Sequence, residues 1–263
     1  MTPPRSSPDV EEHWRKFLEN PDTLMRRGRH VFLRLPSEPR CRLCAAPFAG
    51  GGGRLMRLIG KEPSSANPHV CTSCEKGLKK HHGGAEVSAA MLFADIRGST
   101  ALAEQGTPAA FHELLDRFYT AASRVVFAHD GVVDKFVGDE LVALFYAGMG
   151  GTDYVDRAVR TARALLAATG HGDPAGPWAP VGAGVHTGRV WFGAAGEGDY
   201  VELTAVGDPV NVTARLAAAA KAGEVLVSVV AAEAAGLDPS LEQRTLELKG
   251  KDKPVAVVSL GTA

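Results

Sequence analysis

All four cysteines of this 263-residue chain fall within its first 74 residues, as Cys41-x-x-Cys44 and Cys71-x-x-Cys74. Two such pairs let four thiolates converge tetrahedrally on one ion, a closure that dictates local folding more firmly than the surrounding hydrophobic pattern. The 26 residues between them exceed the usual spacing of roughly 15–20. An inserted loop is therefore expected, with Ala49–Gly53 (AGGGG) and Pro63–Pro68 (PSSANP) as its parts. Two disulfides or a redox pair are the competing readings. The start, Met1–Asp9, lacks the apolar core of a secretory signal, and no apolar stretch nears the roughly 18 residues that span a bilayer. A cytoplasmic protein without a membrane segment is expected, where thiols stay reduced. No thioredoxin-like βαβ pattern surrounds either pair. The reading is one structural Zn²⁺ on Cys41, Cys44, Cys71 and Cys74, because four thiolates leave no open coordination position. His69, His81 and His82 are near enough to replace a ligand, but with four thiols present they are expected at the surface.

The charge is divided. Residues 1–84 carry a net +7 and residues 85–263 a net −8, although the chain as a whole is at −1. With 45% hydrophobic and 22% charged residues, a disordered chain is excluded, and the length suits one large or two unequal domains. A basic leader alone is not a nucleic-acid footprint, and no nucleic-acid role is assigned. Val10, Trp14, Phe17 and Leu18 share one face at helical spacing, with Asp9 as N-cap and Glu12 completing a capping box. Charge and glycine coincide at Lys79–Ala85 (KKHHGGA). The expected divisions are a helical segment over 1–30, a zinc-ribbon-like module over 31–84 and a larger domain over 85–263.

That larger domain alternates strands and helices. Ala89–Ile96 suits a buried strand, and Pro108 opens a helix to about Ala128. Val132–Val137 and Leu141–Tyr146 are strand-like runs around a Gly138-Asp139-Glu140 hairpin signal. A helix covers about Tyr154–Thr169, and strands cover Val181–His186 and Val190–Phe192. A helix near Pro209–Ala220 follows, then strands near Val225–Val227, Arg244–Leu248 and Val255–Leu260. No internal repeat is visible. The fold class is α/β (α+β): a ferredoxin-like βαββαβ arrangement with an αβ extension.

In a split βαβ sheet the first strand lies beside the following hairpin. Asp95 ends that strand and Asp139 tips the hairpin, so two carboxylates 44 positions apart can meet. Such a pair suits Mg²⁺, which takes one or two carboxylates and the phosphates of a substrate. Ile96-Arg97-Gly98-Ser99-Thr100 is a turn into a helix start, whose free N–H groups favour phosphate. Taken singly, Gly138-Asp139 is also an ordinary turn, and Asp95 also a helix-start residue.

Leu92–Thr100 (LFADIRGST), Lys135–Glu140 (KFVGDE) and Val206–Leu216 (VGDPVNVTARL), with Gly184–Gly188 (GVHTG), together resemble the catalytic domain of class III nucleotidyl cyclases over about Val87–Leu260. The resemblance implies two metal-binding aspartates, matched by Asp95 and Asp139, with Ile96 joining the metal set, and two Mg²⁺ or Mn²⁺ per site. It implies an asparagine that orients the ribose and an arginine that stabilises the transition state, matched by Asn211 and Arg215. It implies two purine-selecting positions. Lys135 matches adenylate cyclases, whereas Thr204 stands where many relatives carry Asp, and its hydroxyl can serve either base. Lys249 resembles a phosphate-binding lysine, although a charged hairpin turn explains it equally well. Many relatives carry Arg where Gly182 stands.

The resemblance thus implies an adenylate cyclase that converts ATP to cyclic AMP and pyrophosphate. Its sites are shared across a head-to-tail homodimer, since one chain carries both residue sets. A guanylate cyclase, a catalytically silent nucleotide-binding regulator and a zinc-ribbon nucleic-acid adaptor are the alternatives. A diguanylate cyclase shares the Gly-Asp-Glu hairpin but has no counterpart of Asn211-x-x-x-Arg215.

Overall fold

Pro8, Pro108 and the long Ala/Leu-rich stretches place the helices of this chain, and the β-branched runs between them place its strands. The computed structural model describes residues 7–36, 38–65, 67–196, 202–247 and 254–262. Four helices precede the first strand: α1 (Pro8–Glu19), α2 (Leu24–Leu33), α3 (Gly50–Leu58) and α4 (Thr72–Lys80). Then come β1 (Gly84–Ile96), α5 (Ser99–Gln105), α6 (Pro108–Ala128), β2 (Val132–Val137), β3 (Glu140–Phe145), α7 (Ala147–Gly150) and α8 (Tyr154–Ala168). The chain closes with β4 (Val181–Ala195), β5 (Glu202–Val206), α9 (Asp208–Ala219), β6 (Val225–Ser228), α10 (Val229–Ala234), β7 (Gln243–Leu246) and β8 (Val255–Leu260). Among the described residues, no helix is long and apolar enough to cross a membrane.

The strands form one mostly antiparallel sheet in the order β2-β3-β1-β4-β6-β8-β7, with β5 paired to β4. The run β2-β3-β1-β4 is the order of the βαββαβ arrangement read from the sequence, and β6 joins β4 in parallel through the α9 crossover. Two compact units partition the chain. One comprises Met1–Ser88, Tyr146–Thr152 and Arg189–Gly207, and the other Ala89–Phe145, Asp153–Gly188 and Asp208–Ala263.

In the second unit the pleat separates two faces. Leu92, Ala94 and Ile96 of β1 and Leu141, Ala143 and Phe145 of β3 pack with α6, α8 and α10 in the main core. On the other face, Val212, Leu216 and Ala220 from α9 and its C-terminal end close over Leu226 and Val257. Successive strand residues point to opposite faces, so Asp95 lies on the α9 face. In the first unit Trp14 and Leu18 of α1 are buried. The Trp14 indole N–H donates to the His81 carbonyl at 3.0 Å, and its ring meets Phe192 edge-on at 5.8 Å.

Three local expectations are corrected. The Ala49–Gly53 run is not a loop, for Gly50–Gly53 form the first turn of α3. A side chain at Gly53 would overlap the Phe48 carbonyl, and one at Gly52 would sit 2.9 Å from Pro47, so glycine lets the helix begin against Pro47 and Phe48. The N-cap of α1 is Ser7, whose side chain accepts from Val10 N–H, not Asp9. Pro8 at the first helical position makes that the natural start, and Asp9 falls in the first turn, where the helix dipole favours it. Val181–His186 and Val190–Phe192 are one continuous strand, because β6 pairs with it before Gly188, over Ala183–Val185, and β5 after it, over Trp191–Ala195. The strand β5 had no counterpart in the sequence reading.

Gly184 of the GVHTG segment has a packing reason. A Cβ there would overlap the Ala217 amide and sit 2.7 Å from Leu216 Cβ, so α9 rests directly on the β4 backbone. Gly184→Ala is expected to destabilise the protein by about 1–3 kcal/mol, read as a lowered midpoint in thermal unfolding. An unchanged midpoint would show that α9 does not pack this closely.

Candidate active site

The register of β1 on β3 builds the site. Asp95 is directly opposite Glu140, and Val137 also pairs with Glu140, so only Gly138 and Asp139 form the β2–β3 turn. Gly138 takes φ 60°, and Asp139 is not among the residues at positive φ, the sign pattern of a type II′ hairpin. Asp139 therefore neighbours the residue facing Asp95, and the two carboxyl groups come within hydrogen-bonding reach. Burial pushes Asp95 up to about 6; Arg97 opposes this shift and Asp139 reinforces it. Burial also raises Glu140, to about 7, helped by Asp95 and Asp139 against Arg97. One oxygen of Asp139, Oδ2, is buried with no hydrogen-bond partner. Oxygen donors crowded this way, one of them orphaned, fit a hard divalent cation, which would relieve both the repulsion and the missing partner.

Other side chains hold this cluster. The Tyr119 hydroxyl of α6 donates to the Gly138 carbonyl, and its ring stacks on Phe136 at 4.0 Å. Arg97 Nη2 lies 2.5 Å from Asp95 Oδ2, and Nη1 donates to the Ala218 carbonyl at 3.0 Å. The Arg97 main-chain N–H donates to Pro180 at 2.6 Å. Ile96 buries its side chain in the core, leaving its main chain alone available to an ion. Gly98 adopts φ 73° at the start of α5, with Ser99 and Thr100 in the first turn. Glu140 and Tyr119 were missed by sequence reasoning. Glu140 was detectable in KFVGDE, since a two-residue turn puts the residue after Asp139 in the ladder.

Lys135 pairs with Val142 beyond a bulge at Asp134. Val142 and Glu140 share a face, so Lys135 lies on the Asp95 face. Its Nζ is 3.7 Å from Asp134 Oδ2. Asn211 and Arg215 lie one helical turn apart on α9, beside the buried Val212–Leu216 stripe, with Asn211 exposed and Arg215 partly so. Gly182 packs against the end of α9, where a Cβ would sit 2.8 Å from the Ala220 carbonyl. Thr204 belongs to the other compact unit, on β5 opposite Gly193. Lys249 lies outside the described residues.

The four cysteines converge as their spacing implied. Their sulfurs all lie within 4.8 Å of one another, with Cys44 and Cys71 Sγ 3.7 Å apart. Tetrahedral thiolates at about 2.3 Å from an ion are separated by about 3.8 Å, so the cluster has the dimensions of a metal-binding module. The Cys71 amide points at Cys41 Sγ, 3.3 Å away, and Lys61 Nζ approaches Cys44 Sγ at 3.9 Å. Burial disfavours the Lys61 ammonium, but the four sulfurs outweigh it and raise its pKa. Ala45, just past the first pair, takes φ 59°; the buried Arg29 donates to the Leu43 carbonyl, and Arg40 to those of Phe32 and Ala45. His69 and His82 are exposed, whereas His81 is partly buried and stacks on His13 at 3.6 Å.

Comparison with known proteins places this geometry. Residues 84–258 match the family model described as adenylate and guanylate cyclase catalytic domain. An uncharacterised protein of Mycobacterium tuberculosis, Rv1318c, is 35% identical over 207 residues, covering 77% of this chain and 37% of that protein. That stretch is longer than everything from Gly84 onward, so the likeness runs into the leader, yet the chain spans little more than a third of this relative. The crystal structure of the guanylyl cyclase Cya2 is similar with a TM-score of 0.63 and 28% identity, covering 69% of this chain and 95% of that one. The adenylyl cyclase CyaB from P. aeruginosa gives 0.60 and 25%, covering 68% and 96%. With its fold, its paired carboxylates and a match over most of its length, this chain belongs to the class III adenylate and guanylate cyclase catalytic domain family.

Proposed function

We propose that this chain is an adenylate cyclase, converting ATP to 3′,5′-cyclic AMP and pyrophosphate in a homodimer. The observation that carries the reading is the convergence of Asp95 and Asp139, one with an orphaned buried oxygen, on the sheet face that also carries α9. Asp95 and Asp139, with the Ile96 main chain, would hold two divalent cations. Such ions, when bound, activate the 3′-hydroxyl and neutralise charge on the departing pyrophosphate. Arg215 donates to the α-phosphoryl oxygens as charge develops there, and Asn211 holds the ribose for in-line attack. The turn over Gly98, Ser99 and Thr100 faces the phosphates, and Lys249 is a further phosphate contact. The catalytic domain is assigned to 85–263 and the leader to 1–84, where the Cys cluster holds one structural Zn²⁺.

The dimer has a direct test. Asp95→Asn and Arg215→Ala chains are each expected to lose nearly all turnover, while their mixture recovers part of it, because one site of a mixed dimer keeps both intact sets. Demonstrated heterodimers without recovery would end the shared-site reading.

Base choice is assigned to Lys135 and Thr204. A lysine ammonium donates to adenine N1 and has no lone pair for the N1–H of guanine. Thr204 accepts from the adenine amine but can also donate to the guanine carbonyl. A mismatched buried donor costs about 1–3 kcal/mol, or roughly ten- to a hundredfold in selectivity. Lys135→Glu is therefore expected to depress kcat/KM for ATP far more than for GTP. The second reading, a guanylate cyclase, is favoured by the likeness to Cya2, and faster wild-type turnover of GTP than of ATP would establish it.

The leader is separable by metal analysis. Cys41→Ser is expected to lose one equivalent of zinc by elemental analysis of the purified chain, because a three-thiolate site binds the ion more weakly. Full zinc content in that variant would overturn the four-cysteine assignment.

A further inference from the structure

We propose that Arg97 is a positioning residue that ties the Asp95 carboxylate to the last turn of α9, the helix bearing Asn211 and Arg215. The kinetic part of this proposal rests on the cyclase reading; the structural part does not. Arg97 is the first residue after β1 and is anchored three times: Nη2 to Asp95 at 2.5 Å, Nη1 to the Ala218 carbonyl at 3.0 Å, and its amide to the Pro180 carbonyl at 2.6 Å. Both side-chain partners are negative, one a carboxylate and the other a carbonyl at the negative end of a helix dipole. A planar guanidinium can serve two acceptors set apart in this way, whereas an ammonium is a point charge that serves one position.

The need for such a tie follows from how α9 packs. Val212, Leu216 and Ala220 hold it to the sheet by apolar contact, which is non-directional and sets depth better than axial position. A one-residue slip moves a helix 1.5 Å along its axis and would carry Asn211 and Arg215 with it. The Arg97–Ala218 bond fixes the helix along that axis, and the Asp95 contact refers it to the carboxylate cluster. Arg97 Nε and Nη2 are buried yet make no aligned hydrogen bond, so the contact with Asp95 is an ion pair by proximity. Buried donors left this way are costly, and three anchors keep them in place. In the shared-site dimer, the same bridge links the metal-holding half of one site to the phosphate-holding half of the other.

The test uses the full-length protein with Arg97→Ala and Arg97→Lys. Amide hydrogen exchange in the last turn of α9 is expected to quicken in both variants, since neither can bridge. Mn²⁺ affinity, followed by its electron paramagnetic resonance signal, is expected to be unchanged or tighter in Arg97→Ala, because a neighbouring positive charge is removed. With ATP, kcat is expected to fall by about ten- to a hundredfold while KM stays within about twofold. A raised KM at unchanged kcat would make Arg97 a phosphate ligand and overturn the proposal. Wild-type exchange in α9, or full recovery of kcat and exchange by lysine, would overturn it as well. If the wild-type chain turns over neither ATP nor GTP, the cyclase reading falls, while exchange in the last turn of α9 still decides whether Arg97 is a bridge.

Discussion

The pairing of β1 with β3 is the constraint on which the site depends. It sets Asp95 against Glu140 and so brings Asp139, in the adjoining turn, to the same place. Burial and neighbouring like charge both resist that arrangement, and together they raise the proton affinity of Asp95 and Glu140, burial contributing most. The sheet can impose it because the opposite face of both strands is fully packed. A slip of one residue would turn Leu92, Ala94 and Ile96 out of the core and Asp95 into it. Core packing therefore pays for the electrostatic strain at the carboxylate cluster.

Around that cluster the chain relies on directional contacts, where apolar packing alone would leave freedom. Tyr119 fixes the hairpin through one carbonyl and one stacked ring. Arg97 joins the end of β1 to both α9 and the segment before β4. Gly184 brings α9 onto the strand backbone and so sets how deeply the helix with Asn211 and Arg215 seats.

The Cys module depends on a different principle. Its ligands come from two knuckles whose main chains are stapled by Arg29 and Arg40 and by the Arg40–Pro47 and Pro63–Cys71 bridges. The sulfurs are thereby gathered by the protein itself at separations suited to a tetrahedral ion. Four thiolates close the shell, so this module and the carboxylate cluster suit ions of different hardness and different purpose.

Much of this was legible in the residues. Helix α6 was legible from Pro108, which opens it, and α8 and α9 from equally plain periodicity, because such signals are local. The hairpin at Gly138-Asp139 and the convergence of the four cysteines were legible for the same reason, since turn chemistry and ligand spacing are local. The continuity of β4 through Gly188, the β5 strand and the helical start of the glycine run were not, because ladder partners and the close approach of Phe48 come from elsewhere in the chain. The same division runs through the site. The sequence by itself determined which carboxylates, asparagine and arginine are present and at what spacing. Only the tertiary structure decided that Glu140 joins the two aspartates, that Arg97 turns its guanidinium to Asp95 and Ala218, and that α9 lies on the Asp95 face. Those outcomes depend on strand register and on which face of a sheet a helix covers, neither of which is encoded within any one segment.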